Sequence, residues 1–109
     1  MTQVFKFGGA SVKDAQGVRN LADILKKYAP KNLLVVVSAM GKTTNALEEL
    51  NEAYIAGDIR TTVLFEDIKA YHWTIVTDLF TDTKHPIYDD LANTFVEIDW
   101  ILEEPPHPD

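Results

Sequence analysis

Apolar residues first gather into two short runs near the start of the chain. Val4, Phe5 and Phe7 make a β-prone run that stops at Gly8-Gly9, and "NLLVVV", Asn32 to Val37, is the continuous aliphatic run that a strand buried on both faces requires. Between them Val12, Ala15, Val18, Leu21, Ala22, Leu25 and Tyr28 recur every three or four residues, which predicts a crossover helix. Ser11 is the candidate cap at its start, with Asp14 three residues on, and Pro30 lies just past its end. Strand, helix and strand together predict a right-handed parallel βαβ unit.

After the second strand the period is helical. Thr44 or Asn45 is placed to cap a helix carrying Leu47, Leu50 and Tyr54, which stops at Gly57. A second helix is predicted from Thr61 or Thr62, with Leu64, Ile68, Tyr71, Ile75 and Leu79 on one stripe. A third starts at Pro86, preorganised for the first helical position, and buries Ile87, Leu91, Phe95, Ile98 and Leu102. The chain is therefore α/β: residues 1–45 form a βαβ portion with two loops, 46–104 a helical segment and 105–109 a tail. Two parallel strands are too few for a self-sufficient sheet. The expectation is a truncated domain, completed by further strands or by copies of the chain associating with one another.

Composition narrows the partners. The 109 residues are 46% hydrophobic and 25% charged, as expected of one globular unit. Ten Lys+Arg against 17 Asp+Glu give a formal charge of −7, which argues against nucleic acid and anionic membranes as partners and requires any phosphate site to be local. There is no cysteine, so disulfides, thiolate metal sites and thiol nucleophiles are excluded. No apolar stretch has membrane-spanning length and no signal peptide is visible, so a cytoplasmic protein is expected.

Candidate chemistry sits at the two strand ends. In a parallel sheet, ligands gather beyond the carboxyl ends of the strands, where "KFGGAS" and "SAMGKTTN" both fall. Gly8 and Gly9 let backbone amides approach an anion, and Lys6 brings a full positive charge for a phosphoryl group in transit. The plainer reading makes Gly8-Gly9 a tight turn and Lys6 a snorkelling surface residue. In the second loop, "GKT" at Gly41 to Thr43 imitates the end of a P-loop, but the glycine needed five residues earlier is Val36. What remains is a polar cluster of Ser38, Lys42, Thr43, Thr44 and Asn45, suited to a carboxylate or phosphate, or merely to capping a helix.

Taken together, "VFKFGGASV" and "VVVSAMGKTTNAL", in this order and spacing, resemble the opening of aspartate kinases in the amino acid kinase superfamily. The resemblance implies the N-terminal βαβ portion of a three-layer parallel-sheet domain, followed by a helical segment. It implies transfer of the γ-phosphoryl group of ATP, with Mg2+, to the side-chain carboxylate of L-aspartate, on the route to lysine, threonine and methionine. Lys6 would neutralise the moving phosphoryl group, Gly8 and Gly9 would line the phosphate site, and Ser38, Ala39 and Thr44 would hold the amino acid. A homo-oligomer is implied as well. The family's usual threonine is Ala10 here, and its later substrate, nucleotide and regulatory elements have no counterpart in these residues. By itself, then, the chain is expected to be inactive. No metal ligands are assigned, because His72, His85 and His107 are too scattered to pair and read as surface or capping residues. Asp89-Asp90 suit the dipole of the last helix, Glu103-Glu104 read as solvated, and Trp73 and Trp100 are expected to pack on a core or partner.

Overall fold

The computed structural model describes residues 2–28 and 32–106. They divide into two compact units, Met1–Asn45 and Ala46–Asp109. In the first, strand β1 (Gln3–Phe7) leads through a 3-10 helix (Gly9–Val12) into helix α1 (Ala15–Tyr28) and then strand β2 (Leu33–Val37). The strands pair in parallel, from Gln3 opposite Leu33 to Phe7 opposite Val37. The α/β architecture read from the two apolar runs and the intervening helical period is the one observed.

Side chains alternate across the strands, so Phe5 and Phe7 share one face while Val4 and Lys6 share the other. Phe5 packs edge-on against Tyr28 of α1, with ring centroids 5.2 Å apart, and Phe5, Phe7, Leu33 and Val35 are half-buried. The opposite face is open: Val4, Leu34 and Val36 are each about half exposed. The run Asn32 to Val37 predicts a strand buried on both faces, and β2 covers Leu33–Val37 of it. Only one face is covered among the described residues, because covering both takes a helix on each side.

The start of α1 also differs from expectation. Ser11 does not cap it: its backbone N–H donates to Gly8 O (3.0 Å) inside the 3-10 turn, and Asp14 Oδ1 accepts from Gly17 N (2.8 Å) at the start of the helix. Val12 at the end of this turn and Ala15 at the first position of α1 are both buried. Pro30 and His107 lie outside the described residues.

The second unit is helical. Helix α2 (Thr43–Ala56) stops before Gly57, α3 spans Arg60–Leu79 and α4 spans Pro86–Glu103. Leu50, Phe65, Ile68 and Phe95 form the core, with Leu64, Trp73, Leu91, Ile98 and Leu102 packed around it. Burying side chains of this size contributes about 1.5–3 kcal/mol each. Along α3 the buried residues are Phe65, Ile68, Ile75 and Val76, while Leu64, Tyr71 and Leu79 are half-buried. Several apolar stripes fit this sequence, and the edge-on packing of Phe95 on Phe65, at 6.0 Å between centroids, selects the one containing Phe65.

Helix ends explain the remaining polar residues. Helix α3 begins at Arg60, one residue before the expected start at Thr61, and Asp58 braces the turn that leads into it: its Oδ1 accepts from Arg60 N (2.8 Å) and its Oδ2 accepts from Arg60 Nε (3.1 Å). The Asp58 carboxyl is held below its ordinary range, first by the Arg60 backbone N–H and then by the Arg60 side chain. Pro86 opens α4 as expected, and His85 Nδ1 accepts from Ile87 N (3.1 Å), so this histidine caps the helix. Tyr54 Oη donates to Ile101 O (3.1 Å) and Glu104 O (2.6 Å), tying α2 to the carbonyl end of α4. Trp73 stacks on Tyr88 at 5.8 Å between centroids, whereas Trp100 is largely exposed.

Candidate functional site

Both sequence-predicted loops leave the carboxyl ends of paired parallel strands, and the strand ladder continues into them. Ser38 N donates to Phe7 O (2.9 Å), the first bond beyond the regular pairing. Further out the loops join again, through Gly41 N donating to Gly9 O at 3.0 Å. Gly8, Gly9, Ser38, Ala39 and Gly41 are therefore brought together by backbone geometry alone. Lys6 lies in β1 opposite Val36 and is exposed, on the face away from the phenylalanines. Strand alternation thus places Lys6 on the opposite face from its neighbours Phe5 and Phe7.

The two glycines of the first loop have different reasons to be there. A Cβ on Gly9 would stand 2.3 Å from Gly41 O and 3.2 Å from Ala39 O, so the second loop can approach only if residue 9 has no side chain. A Cβ on Gly8 would meet nothing within 4 Å, and Gly8 has φ −74°, which any residue adopts. The fold requires Gly9 and leaves Gly8 unexplained.

The second loop turns at Gly41, where φ is +55°, a left-handed conformation costly for a side chain. Met40 O then accepts from both Thr43 N (3.0 Å) and Thr43 Oγ1 (2.6 Å), and Thr43 is buried. Helix α2 thus begins at Thr43, one or two residues before the expected caps Thr44 and Asn45, which lie inside the helix. The reason is that Thr43 closes the turn through its own hydroxyl and amide. This also separates the polar cluster into parts: Thr43 is committed to the fold, whereas Ser38, Lys42, Thr44 and Asn45 are exposed. Gly41 stands in the imitation P-loop motif, and its part in joining the two loops follows from its backbone alone.

Charge is distributed unevenly. Residues 1–45 hold seven of the ten Lys+Arg and only two of the 17 Asp+Glu, so the portion bearing the loops is basic within an acidic chain. A cleft of about 540 Å³ elsewhere is lined by the helical unit alone, among others Tyr54, Asp58, Glu66, Asp99 and Glu104, and its carboxylates suit no phosphate. Among the described residues no group of three or more His, Cys, Asp or Glu side chains could hold a metal ion. No described helix is long and apolar enough to cross a membrane.

Comparison with known proteins places the chain in a family. The model of the Amino acid kinase family matches residues 1–97. The chain belongs to the amino acid kinase family. Its curated relatives include "Aspartokinase 2, chloroplastic" of Arabidopsis thaliana, 31% identical over 87 residues that cover 80% of this chain and 15% of that protein. The aspartokinase of Chlamydia trachomatis is 30% identical over 101 residues, covering 93% of this chain and 22% of the relative. That of Mycolicibacterium smegmatis is 47% identical over 49 residues, 43% of this chain and 12% of the relative. The chain thus spans less than a quarter of the length of these aspartokinases, and in this amino acid kinase family member the two interlocked loops fall within the matched residues.

Proposed function

We propose that the chain carries the phosphate and acceptor loops of an aspartate kinase. In the reaction a side-chain carboxylate oxygen of L-aspartate forms a bond to the γ-phosphorus of ATP. The bond from that phosphorus to the β–γ bridging oxygen breaks, ADP leaves with the electron pair, and the product is an acyl phosphate that feeds lysine, threonine and methionine synthesis. Catalysis of such a transfer depends on positioning and charge stabilisation. The observation that carries the reading is the Gly9–Gly41 junction, which holds a phosphate-type loop against a polar loop at the carboxyl edge of a parallel sheet in a chain with aspartokinase relatives.

Each residue has a role in this reading. Lys6 neutralises the moving phosphoryl group, and the backbone at Gly8 and Gly9 lines the phosphates. Open space at Gly8 supports that assignment, because the fold itself has no use for a glycine there. Ser38, Thr44 and the backbone of Ala39 hold the amino acid. Mg2+ supplies charge neutralisation when bound with the nucleotide; among the described residues no group of three or more His, Cys, Asp or Glu side chains could hold it. The 109 residues alone are proposed not to turn over, since relatives use several times this length. Self-association in a cytoplasmic setting is proposed with it, supported by the open sheet face at Val4, Leu34 and Val36. A second reading, a noncatalytic interaction module, is favoured by the exposed Ile59 and Trp100.

The test is hydroxylamine trapping of acyl phosphate by the natural gene product, given MgATP and a panel of acceptors, with Lys6→Ala alongside. Product from aspartate alone, lost in the variant, is expected. Product from a different acceptor would keep the phosphate loop and replace the substrate. No product from any acceptor would favour the interaction module.

A further inference from the structure

Resting on the phosphate-loop reading above, we infer that Gly41 is a positioning residue whose backbone bond to Gly9 couples occupancy of the phosphate loop to the conformation of the acceptor loop. The two loops share two rungs, Ser38 N to Phe7 O at their root and Gly41 N to Gly9 O at their tip. Both sides of the tip are braced. Ser11 N holds Gly8 O on one side, and on the other Met40 O takes both donors of the buried Thr43. Little slack is left between Gly8 and the first turn of α2.

The coupling follows from peptide geometry. The carbonyl of Gly9 and the N–H of Ala10 belong to one rigid, planar unit. An anion seated against the first loop draws on that N–H, polarises the unit, and makes Gly9 O a better acceptor for Gly41 N. It also tilts the plane, and the tilt reaches Gly41, because at residue 9 there is no side chain to keep Gly41 O away. Gly41 can follow because its φ of +55° is open to glycine. Thr44, the proposed acceptor-holding residue, sits three residues further along, at the start of α2. Phosphate binding would in this way set the acceptor loop before the carboxylate arrives.

The experiment is a titration of the whole 109-residue chain with sodium tripolyphosphate, followed by amide ¹H–¹⁵N NMR, with sodium chloride at matched ionic strength as control. Amides of Gly9, Ala10, Gly41 and Lys42 should shift with one common midpoint, and chloride should not reproduce the shifts. The through-bond coupling between Gly41 ¹⁵N and Gly9 ¹³C′ should grow in magnitude on binding, a readout that needs no variant. In Gly41→Ala the Gly9 and Ala10 shifts should remain while the Lys42 shift falls at least threefold, and Gly41→Asn, which tolerates a left-handed backbone, should restore it. Shifts confined to the first loop, or an unchanged coupling across the Gly41–Gly9 bond, would overturn the inference and leave the phosphate site standing. No specific shift in either loop would overturn both.

Discussion

Gly8 and Gly9 look equivalent in sequence, yet alanine at each should have opposite consequences. At residue 9 the new methyl would sit 2.3 Å from Gly41 O and 3.2 Å from Ala39 O. Both obstacles are backbone, so neither can swing aside as a long side chain would, and the loops must part by the better part of an ångström. Overpacking of this kind costs about 1–3 kcal/mol. Parting the loops also weakens the 3.0 Å bond from Gly41 N to Gly9 O, worth about 0.5–1.5 kcal/mol. Gly9→Ala should therefore lose about 1.5–4.5 kcal/mol by these two effects together. At residue 8 the methyl meets nothing within 4 Å and φ is −74°. Gly8→Ala should be neutral or gain about 0.4–1 kcal/mol by restricting the unfolded chain. Urea unfolding followed by circular dichroism, comparing midpoints at unchanged slope, measures the difference. Equal midpoints for the two variants would refute the argument that Gly9 serves the fold and Gly8 does not.

Other outcomes follow from the helical unit. Phe95→Ala, which removes the ring packed on Phe65 and Trp73, should cost about 3–5 kcal/mol, read as a lowered urea midpoint. Tyr54→Phe removes the hydroxyl donated to Ile101 O and Glu104 O and should cost about 0.5–1.5 kcal/mol, with faster amide exchange at the end of α4; unchanged exchange there would contradict the tie. The Asp58 carboxyl has a folded-state pKa below its unfolded value of about 3.9, so its contribution to stability is complete above that pH and disappears as pH falls through the lowered folded value. Asp58→Asn should flatten that acid limb of a stability–pH profile, and superimposable limbs would refute the assignment.

Much of the architecture was readable because local patterns agreed with one another. The aliphatic run Asn32 to Val37, the three-to-four period from Val12 to Tyr28 and the proline at residue 86 each mark an element by chemistry confined to a few neighbours. The two loops were legible for the same reason, as glycine and hydroxyl residues at strand ends. Helix starts were less so. Asp14 won over Ser11 because a cap depends on where the preceding turn leaves the backbone, which residue type alone does not specify.

By itself, then, the order of residues determined the α/β class, the parallel pairing and the fall of two glycine- and hydroxyl-bearing loops at strand ends. Periodicity and turn chemistry act over a few residues and need no knowledge of distant partners. Only the tertiary structure decided that Gly9 is kept for Gly41 and that Phe65 packs edge-on against Phe95. Each of those depends on how closely two segments far apart in sequence approach, and close packing is a property of the pair that neither segment encodes alone.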